Sequence, residues 1–162
     1  MKEEKILGFE APIYFEYSYT AGRATSRFLR AIKKGKIMGQ RCPKCLGVYV
    51  PPRGSCPIDG VATEEEIEIP DIGTVESFTI NYLPIPGGAV EPPYVSANII
   101  LDGADLSFMH IIDEIDYSKV RIGMRVKAHW KPENEWKYSL ENIAYFVPID
   151  DPDRDVSGVL KK

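Results

Sequence analysis

The sequence has no apolar run long enough to span a membrane, and its N-terminus, MKEEKILGFEAP, lacks the apolar segment of a signal peptide. It has only three cysteines, an odd number, and two of them form a C-x-x-C pair. We therefore predict a cytoplasmic protein that does not enter a membrane. In a reducing compartment the cysteines would serve metal binding or redox chemistry rather than disulfides.

Acidic residues are missing from a long segment, 17–58, between Glu16 and Asp59. The chain as a whole has a net charge of −4, so this segment carries a strong local positive field. Such a field attracts phosphates or acidic protein surfaces, although a solvated helix face that only keeps the protein soluble would have the same charge. The segment contains nine basic residues: Arg23, Arg27, Arg30, Lys33, Lys34, Lys36, Arg41, Lys44 and Arg53.

The motifs of common catalytic sites are also missing. The sequence has no G-x-S-x-G, no P-loop, no G-x-G-x-x-G and no H-E-x-x-H. His110 and His129 lie in strand-like patterns, where a single histidine is usually a hydrogen-bonded or surface residue. We predict that the chain is not an enzyme by itself, and a metal-dependent hydrolase is the weakest of the functions considered.

Residues 1–35 are predicted to form an aromatic N-terminal arm and a basic helix. The spacing of Ala24, Phe28 and Ile32 predicts a helix over 22–34, with Thr20 or Thr25 as its N-cap and Gly35 at its end. The rings of the arm must be buried, either on this chain or on another subunit. These rings belong to Phe9, Tyr14, Phe15, Tyr17 and Tyr19.

A zinc ribbon is predicted at residues 36–66, with residues 63–66 as a charged hinge. Cys42-Pro43-Lys44-Cys45 and Cys56-Pro57-Ile58-Asp59 repeat one spacing, which is typical of two knuckles that face one tetrahedral metal ion. The predicted ligands of a structural zinc are Cys42, Cys45, Cys56 and Asp59. Three alternatives remain: a lost metal, water or another side chain in place of Asp59, and a redox pair, which the missing βαβ context disfavours.

Alternating apolar residues over 67–147 predict a five-stranded OB-type barrel, so the predicted fold class is mainly β. Asp102-Gly103 predicts a hairpin, a helical turn is expected within 113–122, and the proline-rich loop 84–93 is expected to project as a ligand loop or a decoration. Residues 148–162 are predicted to be a partly disordered C-terminal tail. The predicted strands are 73–83, 94–101, 105–112, 124–131 and 137–147.

The order of these features resembles the DUF35 family, whose members have a rubredoxin-like zinc ribbon followed by an OB fold. The resemblance covers about residues 22–147, and Asp59 departs from it because the family has cysteine there. It is carried by residues 35–45, 51–57, 73–75, 92–95, 101–103 and 123–126.

The resemblance implies a non-catalytic subunit of an acyl-CoA complex, with zinc as a structural cofactor and CoA or acyl-CoA as a possible ligand. Family members associate with thiolases, lipid-transfer-protein-type aldolases or HMG-CoA synthase, bridge subunits and help to bind or channel the acyl-CoA. The residues expected to meet CoA phosphates, or an acidic face of the partner, are Arg23, Arg27, Arg30, Lys33 and Lys34.

The alternative function is single-stranded nucleic-acid binding by the OB fold, with bases stacked on Tyr82, Tyr94, Phe108 and Trp130. The basic cluster lies outside the predicted barrel, which is acidic on balance, so nucleic acid is the less favoured ligand. Fold alone does not decide between these functions.

Overall fold

A computed structural model describes residue 8 and residues 11–84 and 90–157 of the chain. The predictions made for Phe9, for the middle of the loop 84–93 and for residues 158–162 lie outside the described residues. No helix among the described residues is long and apolar enough to cross a membrane.

The single α-helix of the described chain, α1, runs from Gly22 to Ile32 and buries Phe28 and Ile32. It ends two residues earlier than predicted. The predicted threonine cap is wrong, because the N-cap residue is Ala21 and no side chain caps the helix. Gly35 follows with a φ of +69°, and a Cβ there would lie 2.7 Å from the ring of Trp136. Glycine is required at this turn both by conformation and by space.

Three short strands form the ribbon sheet: β1 (Ile37–Arg41), β2 (Val48–Tyr49) and β3 (Glu65–Ile69). Both β2 and β3 pair antiparallel with the central strand β1. The second half of the predicted hinge 63–66 is therefore wrong, since Glu65 and Glu66 belong to β3 and pair with Arg41 and Gln40.

The remaining strands close a five-stranded barrel in the order β4-β5-β6-β8-β7, which confirms the predicted fold class. A 3₁₀ helix at Tyr117–Lys119 lies within the predicted helical turn. The start predicted for the last strand is wrong, because 3₁₀ helices occupy Glu133–Glu135 and Leu140–Asn142. The barrel strands are β4 (Ile72–Asn81), β5 (Tyr94–Leu101), β6 (Phe108–Ile112), β7 (Arg125–Trp130) and β8 (Ile143–Pro148).

One hydrophobic core joins the helix, the ribbon sheet and the barrel. Phe28 of α1, Ile37 of β1 and Phe146 of β8 belong to the same buried cluster. Because these elements share a core, the position of the ribbon relative to the barrel is fixed by packing. The division of the chain at residues 35, 66 and 147 remains a proposal about its domains.

The segment after β8 is described as far as residue 157, and part of it packs against the barrel. The predicted partial disorder of the tail stays a prediction. The Arg154 N–H donates to the Gly123 carbonyl, and the Val156 side chain is buried. Arg154 also contacts the Asp102 carboxylate at 3.0 Å. The segment therefore lies across the β6–β7 connection as a strap.

Candidate metal centre

The two knuckles share one pattern of backbone hydrogen bonds. In the first, the Cys42 carbonyl accepts from Leu46 N–H, and the Cys42 N–H donates to Gly47. In the second, the Cys56 carbonyl accepts from Gly60 N–H, and the Cys56 N–H donates to Val61. The fifth residue of each turn has a left-handed φ: +63° at Leu46 and +66° at Gly60.

This repeat places Asp59 at the position in the second knuckle that Cys45 holds in the first. The three sulfur atoms and a carboxylate oxygen of Asp59 all lie within 4.8 Å of one another. Cys42 and Cys56 are buried, whereas Cys45 is exposed. The structure therefore brings together all four of the residues that the sequence predicts as ligands.

The distances suit a tetrahedral metal ion. Ligands at zinc distances place two sulfurs roughly 3.8 Å apart, and a sulfur and an oxygen roughly 3.5 Å apart. Cys45 Sγ and Cys56 Sγ are 3.6 Å apart. Asp59 Oδ2 lies 3.3 Å from Cys42 Sγ and 3.4 Å from Cys56 Sγ. Three sulfurs and one carboxylate oxygen form a donor set that fits Zn²⁺ and leaves no open position.

The electrostatics of the cluster favour a cation. Burial raises the pKa of the Cys42 thiol to about 11. Burial also raises the pKa of Cys56, but hydrogen bonds from Tyr49 and from backbone N–H groups outweigh it and lower the pKa overall. Hydrogen bonds from Cys45 and Cys42 lower the pKa of Asp59. Cys56 and Asp59 therefore already favour negative charge, whereas the Cys42 thiolate needs a cation to offset its burial.

Sequence analysis missed Tyr49, which is buried and places its hydroxyl 3.3 Å from Cys56 Sγ. This hydroxyl bond and burial together raise the pKa of Tyr49. Its position four residues after the C-x-x-C pair was the only signal, and that spacing does not say which way a side chain points.

The barrel holds the metal-binding segment through Asp105, which lies between β5 and β6. Its N–H donates to the Val48 carbonyl, and its carboxylate accepts from the Val48 N–H at 3.0 Å. Leu106 packs against the small buried cluster of Cys42, Tyr49 and Cys56. The cysteine knuckles are thus attached to the β5–β6 hairpin as well as to their own sheet.

Of the five basic residues predicted to bind phosphate or a partner, two are paired with other side chains among the described residues and three are not. Arg27 contacts Glu66 at 3.3 Å, and the ammonium of Lys33 lies 4.5 Å from the ring centroid of Tyr138. Within the described part of the chain, the side chains of Arg23, Arg30 and Lys34 have no hydrogen-bond or ion-pair partner, and they are exposed. A cavity of about 510 Å³ lies beside the helix, lined by Thr20, Gly22, Arg23, Ser26, Arg27 and Arg30.

The rings considered for base stacking are mostly unavailable. Tyr94 is buried, Phe108 packs edge-on against Phe146, and the Trp130 indole N–H donates to Asp71. Tyr82 alone among the four is exposed.

The two histidines lie in different surroundings. Burial lowers the pKa of His110, whose Nδ1 accepts from the Ile111 N–H. His129 is stacked on Tyr145 at the surface, with ring centroids 4.6 Å apart.

Two family models match the chain in succession. The rubredoxin-like zinc ribbon domain of ChsH2 matches residues 30–62, and the C-terminal OB-fold domain of ChsH2 matches residues 66–131. Together they cover the two knuckles and most of the barrel.

Individual relatives agree with this match. A probable enoyl-CoA hydratase alpha subunit of Thermomonospora curvata is 30% identical over 108 residues, which are 67% of this chain and 33% of that protein. The chain thus spans about a third of that relative's length. The solved structure of an Ltp2-ChsH2(DUF35) aldolase is 26% identical, with a TM-score of 0.56 over 78% of this chain and 92% of that one.

A protein of unknown function from the DUF35 family of Sulfolobus solfataricus has the same fold. Its TM-score is 0.58 at 24% identity, over 78% of this chain and 84% of that one.

Proposed function

Because the chain belongs to the DUF35 family of zinc-ribbon and OB-fold proteins, we propose that it is the non-catalytic subunit of a thiolase-type acyl-CoA complex. Its partner would be a thiolase-fold enzyme: a thiolase, a lipid-transfer-protein-type aldolase or an HMG-CoA synthase. The chain would bridge subunits and help to bind or channel the acyl-CoA. The name of the enoyl-CoA hydratase relative supports an acyl-CoA ligand, and the name of the aldolase relative supports an enzyme partner.

A structural zinc is part of this proposal, with Cys42, Cys45, Cys56 and Asp59 as its four ligands. The metal would hold the two cysteine turns together. This segment needs the metal because its own buried cluster is too small to stabilise it alone. The metal would fix the ribbon rather than react, because four protein ligands fill a tetrahedral shell.

The observation that carries the proposal of a partner is the exposed aromatic arm, residues 13–19. Tyr14, Phe15, Tyr17 and Tyr19 are 77–85% exposed, and Ile13 is 74% exposed. Side chains of this size bury about 150–250 Å² each, so the four rings offer roughly 600–1,000 Å². A standard interface buries about 800 Å² on each partner. The arm therefore offers an area comparable with one side of a standard interface.

The unpaired cations of α1 support acyl-CoA binding beside that interface. CoA carries a 3′-phosphate and a pyrophosphate, and arginine binds phosphate oxygens in a bidentate geometry. Arg23 and Arg30 flank the cavity of about 510 Å³ and have no partner within the described chain, whereas Arg27 is engaged by Glu66. We propose that Arg23, Arg30 and Lys34 meet the phosphates first, and that Arg27 and Lys33 contribute less.

Co-expression of the full chain with a thiolase-fold enzyme from the same organism tests the partner. The full chain and the enzyme are expected to elute together in size-exclusion chromatography with light scattering. Replacing Tyr14, Phe15, Tyr17 and Tyr19 by serine should release the enzyme. The matched control replaces three equally apolar exposed residues away from the arm, Leu83, Met109 and Ile122, and should leave the complex intact. Separate elution of the unmodified chain and the enzyme would contradict the proposal.

A further inference from the structure

Tyr49 brings a side-chain hydroxyl to the sulfur atoms of the metal centre. The side chain is only 6% exposed, and its Oη lies 3.3 Å from Cys56 Sγ and 3.8 Å from Cys45 Sγ. Both distances are within the range of hydrogen bonds to sulfur, and the shorter contact is to Cys56. The hydroxyl thus faces the cluster from the strand β2, on the side where these two sulfurs meet.

The metal centre would carry a net negative charge, which a hydrogen bond from the Tyr49 hydroxyl would stabilise. Three thiolates and one carboxylate outweigh a divalent cation by two negative charges. Backbone N–H groups reach two of the sulfurs: Lys44 N–H lies 3.3 Å from Cys42 Sγ, and Asp59 N–H lies 3.4 Å from Cys56 Sγ. Hydrogen bonds to ionised acceptors are stronger than those between neutral groups, so each donor stabilises the thiolate form.

The neighbouring glycine leaves the space that the hydroxyl occupies. A Cβ on Gly47 would lie 3.1 Å from Tyr49 Oη and 3.4 Å from Cys45 Sγ. The first distance is tighter than an ordinary contact, so a side chain here would push the hydroxyl away from the sulfurs. Gly47 therefore permits the close approach of Tyr49 to the cluster.

The strand that carries Tyr49 is itself held in place. Val48, the preceding residue, is hydrogen-bonded through both its N–H and its carbonyl to Asp105. The ring of Tyr49 belongs to the same buried cluster as Cys42 and Cys56. Little freedom remains for the hydroxyl to turn away, which is what a group that orients a metal ligand requires.

We propose that Tyr49 is a positioning residue of the metal centre, whose hydroxyl donates to the Cys56 thiolate and thereby slows the loss of the metal. This inference rests on the proposed zinc ligands, and it adds a group that binds no metal itself. Outer hydrogen bonds to metal ligands typically change metal affinity by about 10–100-fold.

The test compares full-length, zinc-loaded Tyr49→Phe with the unmodified protein. Phenylalanine keeps the buried ring and removes only the hydroxyl, so the variant is expected to fold. Zinc release into an excess of a chromogenic chelator should be about 10–100-fold faster. In the cobalt-substituted protein, the sulfur-to-metal charge-transfer band should shift, because the thiolate has lost a hydrogen bond.

Two further variants complete the test. Tyr145→Phe is the matched control, because it removes a tyrosine hydroxyl that is bound to Glu114 at 2.8 Å rather than to the cluster. It should release zinc at the unmodified rate. Gly47→Ala keeps the Tyr49 hydroxyl but pushes it away from the sulfurs. It should therefore also accelerate the release of zinc.

The outcomes separate the two proposals. Equal release rates and identical cobalt spectra for Tyr49→Phe and the unmodified protein would overturn the role of Tyr49 and leave the four ligands in place. An unmodified protein that binds no zinc or cobalt in a one-to-one ratio would overturn both the ligand assignment and this inference.

Discussion

The knuckles and the barrel differ in what stabilises them. The buried cluster at the knuckles contains three residues, Cys42, Tyr49 and Cys56, and all three have a polar atom within contact distance of the metal ligands. Within the described ranges, the cluster that fills the barrel and reaches the helix contains eighteen buried apolar residues. One region thus depends on a few directed contacts, and the other on the removal of a large apolar area from water.

This difference suggests that the regions that stabilise the fold are not the ones that bind another molecule. The knuckles point their donors at one another, although Cys45 is exposed, and the barrel strands bury residues such as Val126 and Phe146. The groups proposed to meet another molecule, which are the exposed rings of the arm and the unpaired cations of α1, lie outside both regions. The two stabilised regions would therefore hold these surfaces in place, and the predictions below test whether they can be disrupted separately.

Loss of a metal ligand should have the largest effect, confined to the knuckles. Cys56→Ser is expected to lose stoichiometric zinc, because structural zinc contributes on the order of 10 kcal/mol to small sites. Hydrogen exchange should accelerate at the Leu46 and Gly60 amides, which close the two turns, while the amides of β5 stay protected.

The control for this prediction is Ser55→Ala, the exposed neighbour of Cys56. It should retain zinc and the exchange pattern of the unmodified protein. Equal loss of protection in β5 and at the knuckles would mean that the metal stabilises the whole chain, and the comparison between the two regions would fail.

Removal of a large ring from the barrel should have the next largest effect, spread over the whole chain. Phe146 is completely buried, so Phe146→Ala is expected to lower the free energy of unfolding by about 3–5 kcal/mol. Chemical denaturation of the zinc-loaded protein measures this change. Met109→Ala, at a residue that is 72% exposed, should change it by less than about 0.5 kcal/mol.

The barrel was the easier region to predict because its signals are local. Strand β5 was predicted at its observed bounds, since alternating apolar residues run from Tyr94 to Leu101 between a proline pair and Asp102-Gly103. The start of β8 was missed because the buried side chain of Asn142 holds the preceding turn. Its amide contacts Lys137 and, 110 residues away, the carbonyl of Ile32.

In the ribbon, the ligand residues are predictable from the sequence, but the strands and the groups around the ligands are not. Its ligand residues follow from one repeated spacing, but the start of β3 is not predicted, because Glu65 and Glu66 read as a charged hinge although they pair with β1. Tyr49 was missed because the direction of a side chain depends on the strand that carries it. Spacing along the chain therefore predicts which atoms can bind a metal, whereas tertiary contacts decide what surrounds them.

A smaller, pH-dependent effect is expected where the strap meets the barrel. Asp102 accepts two hydrogen bonds from Arg125, at 2.8 and 2.6 Å, and the pKa of Asp102 is lowered mainly by them. A lowered pKa in the folded state adds stability above the unfolded value of about 3.9, and this stability is lost as the pH falls through the folded value.

Asp102→Asn should therefore cost about 2 kcal/mol at neutral pH, and progressively less as the pH falls from ~4 through the lowered pKa of the folded state, where the unmodified carboxylate is protonated too. Thermal unfolding across this pH range measures the difference. Asp150→Asn, at an exposed residue, is the control. A constant difference between Asp102→Asn and the unmodified protein at every pH would contradict the role of the charge.

The smallest effect is expected on α1, where one arginine is paired and another is free. The Arg27–Glu66 pair is exposed on both sides, so Arg27→Gln should cost less than about 1 kcal/mol, and high salt should reduce that cost. Arg30→Gln removes no ion pair within the described chain and should leave thermal unfolding unchanged, yet it should weaken CoA binding in a calorimetric titration. A larger loss of CoA affinity for Arg27→Gln than for Arg30→Gln would mean that Arg27 leaves Glu66 to bind the ligand. The same arginine would then both stabilise the fold and bind CoA, and the separation between stabilising and binding regions would fail at α1.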